Sequence, residues 1–279
     1  MWNVVTDTLI DAVKTLPFLL GAYWLIEYIE HRGRDHTAGL AKYGVLGGAF
    51  IGIVPQCGFS VAAANLYSRR IITVGTLIAV FLSTSDEALP LILSHPDRIG
   101  DFAAVIGTKV VLALVFGYAI DFFTRRRKNT DKPSMYDIHK ECEKSPSNLS
   151  IFLAALRHTA FVFAFILAVM LALNIAVYLI GEDTIAAALM SHSHFQAVFT
   201  ALFGLIPNCA PSIIMTELYL AGNLGFGSLM AGLLTGAGMG LLMLYRANRN
   251  MKENLLITLV LFLLGATSGI VINLISGTF

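Results

Sequence analysis

A polytopic, all-α membrane protein made of two inverted repeats is the fold class this sequence predicts, on three observations. Hydrophobic residues make up 56% of the 279 positions and charged ones only 13%, whereas a soluble domain carries about 25% charge. Apolar stretches of about 20 residues recur, the length that crosses a hydrocarbon core about 30 Å thick. A motif also occurs twice, as Gly52-Ile-Val-Pro-Gln-Cys57-Gly-Phe-Ser60 and Gly204-Leu-Ile-Pro-Asn-Cys209-Ala-Pro-Ser212. Its spacing of 152 positions (57 to 209) also pairs Leu66-Tyr67 with Leu218-Tyr219, Gly75 with Gly227 and Leu82 with Leu234.

The spans read as 9–29, 71–93, 102–123, 159–180, 224–245 and 255–275. The first ends in Glu27, Glu30 and Arg32 rather than a small-residue cleavage site, which argues against a cleaved signal peptide. Two further segments, 40–67 and 194–219, are interrupted by Pro55-Gln56 and Pro207-Asn208. Proline removes a backbone donor and clashes with the preceding turn, so each segment is expected to be two short helices.

Loop charge decides whether these segments cross or turn back, because cytoplasmic loops are enriched in Lys and Arg. The basic loops are 32–42, Arg69-Arg70, 124–150 and 246–252, while 181–194 and 221–225 contain neither residue. Re-entrant hairpins put every basic loop on the cytoplasmic side except Arg98, and they leave both termini outside. Three crossings plus one hairpin is an odd count, so the halves come out inverted, five segments each. The first repeat is 1–123 with hairpin 40–67; the second is 151–279 with hairpin 194–219. Loop 124–150, charged and containing Pro133 and Pro146, reads as a cytoplasmic linker.

The chemistry-bearing positions cluster at the interruptions. Cys57 and Cys209 fall where each second short helix begins, beside free N–H groups and the positive dipole end, which favours anions and thiolates. Paired thiolates suit thiophilic metals or metalloids; the plainer reading is a small apolar residue at a hairpin contact. Gln56 and Asn208 supply matched amides, with Ser60 and Ser212 one turn further on, and all four could equally cap backbone. The span after the first hairpin is interrupted by Ser83-Thr84-Ser85-Asp86-Glu87 and its counterpart by Thr235-Gly-Ala-Gly-Met-Gly240, so both are expected to unwind locally. Asp86 and Glu87 could bind a hard cation or a coupling proton, or else lie near the outer surface. Lys109 sits in an apolar run, able to pair with those carboxylates, attract an anion or snorkel. Glu217 and Asn65 are second-tier candidates. His192 and His194 form only an H-x-H pair, and Cys142 reads as an ordinary loop residue.

The paired Pro-Gln-Cys and Pro-Asn-Cys motifs, the Ser-Thr-Ser-Asp-Glu stretch and the five-plus-five plan resemble a bacterial family of ten-span heavy-metal exporters. That family is also described as arsenic-efflux or manganese-transporter-like, and the resemblance covers essentially the whole chain. It implies a secondary carrier in the cytoplasmic membrane and implicates Gln56, Cys57, Asn208, Cys209, Asp86 and Glu87. The opposed hairpins also resemble the architecture of elevator-type anion carriers, which keeps a small-anion substrate as the alternative. No Gly-x-x-x-x-Gly-Lys-[Ser/Thr] loop is present, so no nucleotide motor is expected in this chain. An intramembrane enzyme with Cys57 or Cys209 as nucleophile would need a nearby base, yet the histidines map to loops and span ends. The expected partners are the lipid bilayer and a small ion or molecule, with no nucleic acid and no tightly bound cofactor. A coupling cation, proton or Na+, would drive transport, and a homodimer would suit elevator motion.

Overall fold

The computed structural model describes residues 37–84, 87–125, 148–180 and 195–276, with scattered helical positions between 6 and 24. Every regular element among them is helical. In chain order they are α1 (Thr37–Ile51), α2 (Cys57–Ser68), α3 (Val74–Ser83), α4 (Ala88–Leu93), a 3-10 turn at Pro96–Arg98, α5 (Ile99–Arg125) and α6 (Asn148–Ile180). There follow α7 (Gln196–Gly204), α8 (Ala210–Leu220), α9 (Phe226–Thr235), α10 (Met239–Ala247) and α11 (Met251–Ser276). Ser85, Asp86, Cys142, His192 and His194 lie outside the described residues, as does most of the first span and of loop 124–150.

Among the described residues, four runs are long and apolar enough to cross a membrane: Val74–Leu93, Ile99–Thr124, Phe226–Ala247 and Met251–Ser276; Thr159–Ile175 is a shorter apolar helix. The second and fourth leave large apolar side chains such as Val111, Val115, Leu255 and Leu259 exposed, as lipid-facing helices do. The first and third are mostly buried and pass through the centre of the core, where Leu77, Phe81, Leu229 and Met230 pack. Both are interrupted, α3 from α4 and α9 from α10. Gly238, at φ 53, makes the second break with a backbone most side chains avoid.

Close approaches fix how the helices run. A Cβ on Gly44 would meet the Thr76 side chain, one on Gly48 would meet Val80, and one on Gly52 would press on Ser83 and the Val80 carbonyl. These contacts climb in step, so α1 and α3 run parallel and α2 carries the chain back to the level where α1 began. The second half repeats the register 152 positions later. Ser228 donates to Gln196 at 3.1 Å, Gly232 abuts the Thr200 carbonyl, and Gly204 abuts Gly232 and Thr235. Antiparallel to α3 runs α5, with Gly117 against the Gly75 carbonyl and Ala79; α11 sets Gly269 against the Gly227 carbonyl and Ala231 in the same way.

The halves also exchange contacts. Helix α2 packs on α10, and α8 packs on α4. At the end of α2, Tyr67 donates to Glu253 in the first turn of α11, and Arg70 makes a bidentate pair with the same carboxylate at 2.5 and 2.6 Å. Tyr219, 152 positions after Tyr67, faces Asp101 near the start of α5, with Arg98 beside it. Arg70 (φ 59) and Gly222 (φ 78) are matched left-handed residues that end α2 and α8. Their N–H groups bond the carbonyls of Tyr67 and Tyr219, and the next residues bond Leu66 and Leu218, a Schellman-type stop. Helix α3 therefore starts beside the head of α11, whereas α9 starts beside its tail, near Asn273.

Candidate substrate site at the two helix breaks

Where α3 and α9 stop, each leaves carbonyls that have no intrahelical donor. At membrane depth such groups must be satisfied by protein or enclosed water. Hydroxyls at both ends fold back on their own helix, as second donors to carbonyls such as Val80 and Gly232 that already accept the N–H groups of Thr84 and Gly236. Ser83 donates to the Ala79 carbonyl at 2.8 Å and the Val80 carbonyl at 3.1 Å. Its counterpart Thr235 donates to Gly232 at 3.0 Å and Ala231 at 3.2 Å, and Thr84 donates to Val80 at 2.7 Å. Lys109 bonds one carbonyl from each break. Its ammonium, 1% exposed, donates to the Thr84 carbonyl at 2.5 Å and the Leu233 carbonyl at 2.7 Å.

Beside this lysine lies a cavity of about 10 Å³, room for about one water. Thr84, Leu233, Gly236 and Gly238 line it from the two breaks, and Asn208, Ser212 and Met215 line it from the second interrupted segment. Amide, hydroxyl, thioether and backbone carbonyl are thus its chemistry, and the Lys109 ammonium lies behind the lining, on the carbonyls of Thr84 and Leu233.

The interruptions have matched geometry. The N–H of Gln56 bonds the Val54 carbonyl and that of Asn208 bonds the Ile206 carbonyl, both at 2.7 Å. Ser60 and Ser212 donate to the carbonyls of Cys57 and Cys209 at 2.9 and 2.7 Å. Asn208 is 6% exposed and held at both ends of its amide. Its Oδ1 accepts from the Cys209 N–H at 2.8 Å and its Nδ2 donates to Asn174 Oδ1 at 2.7 Å.

The sequence-derived candidates therefore divide. Asn208 and Ser212 reach the cavity. Gln56, Cys57, Ser60 and Cys209 are not among its lining; Cys57 is buried at the start of α2, Cys209 half-buried before α8, and neither is in a disulfide. Ser83 and Thr235 are buried at the breaks with their hydroxyls on carbonyls of their own helices, Ser83 also reaching the Gly48 carbonyl of α1 at 3.4 Å. Glu87 is exposed ahead of α4, and Glu217 is exposed on α8. Asn65 is buried and donates to the Val61 carbonyl of its own helix at 3.0 Å. Lys109 bonds both breaks, through the Thr84 and Leu233 carbonyls. Among the described residues, no group of three or more His, Cys, Asp or Glu is placed to hold a metal ion.

Two positions carry more than their sequence context suggested. Asn174 is an amide within an otherwise apolar run, and that isolation was the available signal. Asp121, 7% exposed, accepts from the Gly75 N–H at 3.0 Å and Thr73 Oγ1 at 2.8 Å, so it neutralises the start of α3, far from the breaks. Its counterpart Asn273 donates to Ser228 at 3.1 Å.

A protein-family model described as "Putative, 10TM heavy-metal exporter" matches residues 5–187 and 179–279. No curated protein and no solved structure matches the chain.

Proposed function

The chain belongs to this heavy-metal exporter family, and from that premise we propose that it is a secondary carrier exporting a metal or metalloid species through the cavity between the two helix breaks. The observation that carries this reading is the meeting of three interruptions at one small polar cavity: Thr84 from one, Gly236 and Gly238 from another, and Asn208 with Ser212 from the third. Broken helices that expose backbone at the midplane are the usual means by which carriers build ion and substrate sites.

In this reading the interrupted segments 40–67 and 194–219 are re-entrant hairpins and the halves are inverted repeats. The parallel register of α1 with α3 and of α7 with α9 supports the hairpins. The opposite ends at which α3 and α9 begin support the inversion. Orientation follows from charge. Arg70 pairs with Glu253 at the end where Arg246, Arg249 and Lys252 also lie, and Arg125 closes α5 there, whereas Arg98 sits at the other end beside Asp101. The first end is assigned to the cytoplasm of an inner membrane on the positive-inside rule.

The electrostatics of the cavity select among substrates. A bare divalent ion beside the Lys109 ammonium meets like charge at low dielectric, and the cavity's described lining supplies no carboxylate. A neutral hydroxide of a trivalent metalloid fits the amide, hydroxyl and thioether lining without that penalty, and a small oxyanion is the second reading that the same lysine favours. Cys57 and Cys209, outside this lining, enter in this reading as thiol ligands met elsewhere on the transport path.

A melting-temperature screen of the purified protein tests this against arsenite, antimonite, divalent metals and oxyanions, on wild type and on the Cys57→Ser/Cys209→Ser variant. A ligand that binds the folded state raises Tm by mass action. Stabilisation by a trivalent metalloid supports the reading, and its loss in the variant assigns the thiols. Stabilisation by oxyanions alone, unchanged in the variant, overturns the metalloid substrate in favour of the anion.

A further inference from the structure

Among the described residues, Lys109 is the one lysine fully buried in the core, and its place in the fold is specific. The C-terminal ends of α3 and α9 point at it, each with the partial negative charge of its dipole. The carbonyls it bonds belong to different halves of the chain, Thr84 at 2.5 Å and Leu233 at 2.7 Å. The position 152 residues later is Leu261, also fully buried, so a single cation on α5 serves both breaks. In broken-helix carriers, unwound carbonyls and half-helix C-terminal ends are the groups that coordinate a coupling cation. Here such carbonyls are already engaged by an ammonium.

We propose that the Lys109 ammonium stands in for a coupling metal cation: the two helix breaks form a monovalent-cation site that this chain fills with its own side chain, so that binding and transport are independent of Na+ and K+. This rests on reading the ends of α3 and α9 as breaks within membrane crossings, but not on the identity of the substrate. Removing the ammonium while leaving room would expose a carbonyl site for a small cation. Removing the charge while keeping the volume would leave the carbonyls unpaired and the space filled.

The test compares the melting temperature of the purified full chain in NaCl, KCl and choline chloride at equal ionic strength, for wild type, Lys109→Ala and Lys109→Met. Wild type is expected to melt alike in all three salts. Lys109→Ala is expected to melt about 5 °C or more lower in choline and to regain most of that loss in Na+, K+ or ethylammonium. Lys109→Met is expected to lose a similar amount and regain nothing. A wild-type melting temperature that rises by several degrees in Na+ over choline would overturn the proposal, as would a Lys109→Ala protein indifferent to every cation. Should neither variant fold, the wild-type comparison still decides, and counterflow of tracer in vesicles with and without Na+ repeats it independently. None of these readouts fails merely because the metalloid substrate is wrong.

Discussion

Tyr67 hydrogen-bonds Glu253, and the same two places, 152 residues later and earlier, are occupied by Tyr219 and Asp101, which also face one another. Each half of the chain thus ends its interrupted segment by gripping the head of the other half's last helix. The two grips differ in strength. Arg70 adds a bidentate ion pair to Glu253, whereas the residue matched to Arg70 is Gly222. Tyr67→Phe is expected to cost about 1.5 kcal/mol, since it removes a hydrogen bond to a charged acceptor. That is a Tm decrease of about 3–6 °C. Tyr219→Phe is expected to cost less, and a thermal melt of the two variants in one detergent compares them directly. Equal losses would mean that the Arg70 pair does not strengthen the first grip.

Close packing of α7 on α9 predicts a sharp contrast between glycines. A methyl on Gly204 would collide with the Gly232 backbone carbonyl and the Thr235 side chain, whereas one on Gly47 meets nothing within 4 Å. Backbone cannot move aside as a flexible side chain can, and overpacking of this kind costs about 1–3 kcal/mol or more. Gly204→Ala is expected to lower both folded yield and Tm, and Gly47→Ala to leave both unchanged. Size-exclusion profiles and melts of the pair check it.

The start of α3 depends on a buried carboxylate. Asp121 satisfies the Gly75 N–H and the Thr73 hydroxyl together, and a negative group at a helix N-terminus also interacts favourably with the dipole. Asp121→Ala is expected to destabilise by about 1–2 kcal/mol. Asp121→Asn should recover part of this, because Asn273 occupies the matched place on α11. A Tm series over Asp, Asn and Ala at this position tests that order; Asn falling as low as Ala would show that the charge, not the shape, is required.

How much of this was legible in the sequence differs by level. The membrane class, the helix interruptions and the matched registers all follow from apolar length, Pro55, Pro207 and a spacing that the structure reproduces contact by contact, from Gly48–Val80 to Thr200–Gly232. The breaks that follow Ser83 and Thr235 fall where hydroxyl and glycine runs interrupt apolar sequence. What stayed hidden is partner choice. Nothing local says that Lys109 will bond a carbonyl 124 positions away, or that Asp121 will join the cap residue Thr73 in receiving the first N–H groups of α3. Duplication drew attention to Cys57 and Cys209, yet the cavity is lined by their neighbours Asn208 and Ser212. A repeated residue marks a repeated environment, and a small apolar thiol at a helix start is one such environment.

Asn174 offers the most direct functional test. Its Oδ1 receives the Asn208 amide at 2.7 Å while the Asn208 Oδ1 takes the Cys209 N–H, so the cavity-lining amide is fixed in one orientation by a residue on another helix. Asn174→Ala leaves the Asn208 Nδ2 without that acceptor in a buried place, at a cost of about 1–3 kcal/mol, and lets the amide turn. Transport is then expected to fall by about tenfold, more than the loss in Tm alone accounts for, because a group misplaced by about 1 Å in a binding site costs activity disproportionately. Asn174→Asp keeps the acceptor and should retain most of the transport. Efflux from vesicles loaded with the metalloid that stabilises wild type, normalised to folded protein, reads the three side by side. If Asn174→Ala transports as well as wild type, the orientation of Asn208 is not set by this bond and its place in the site must be reassigned.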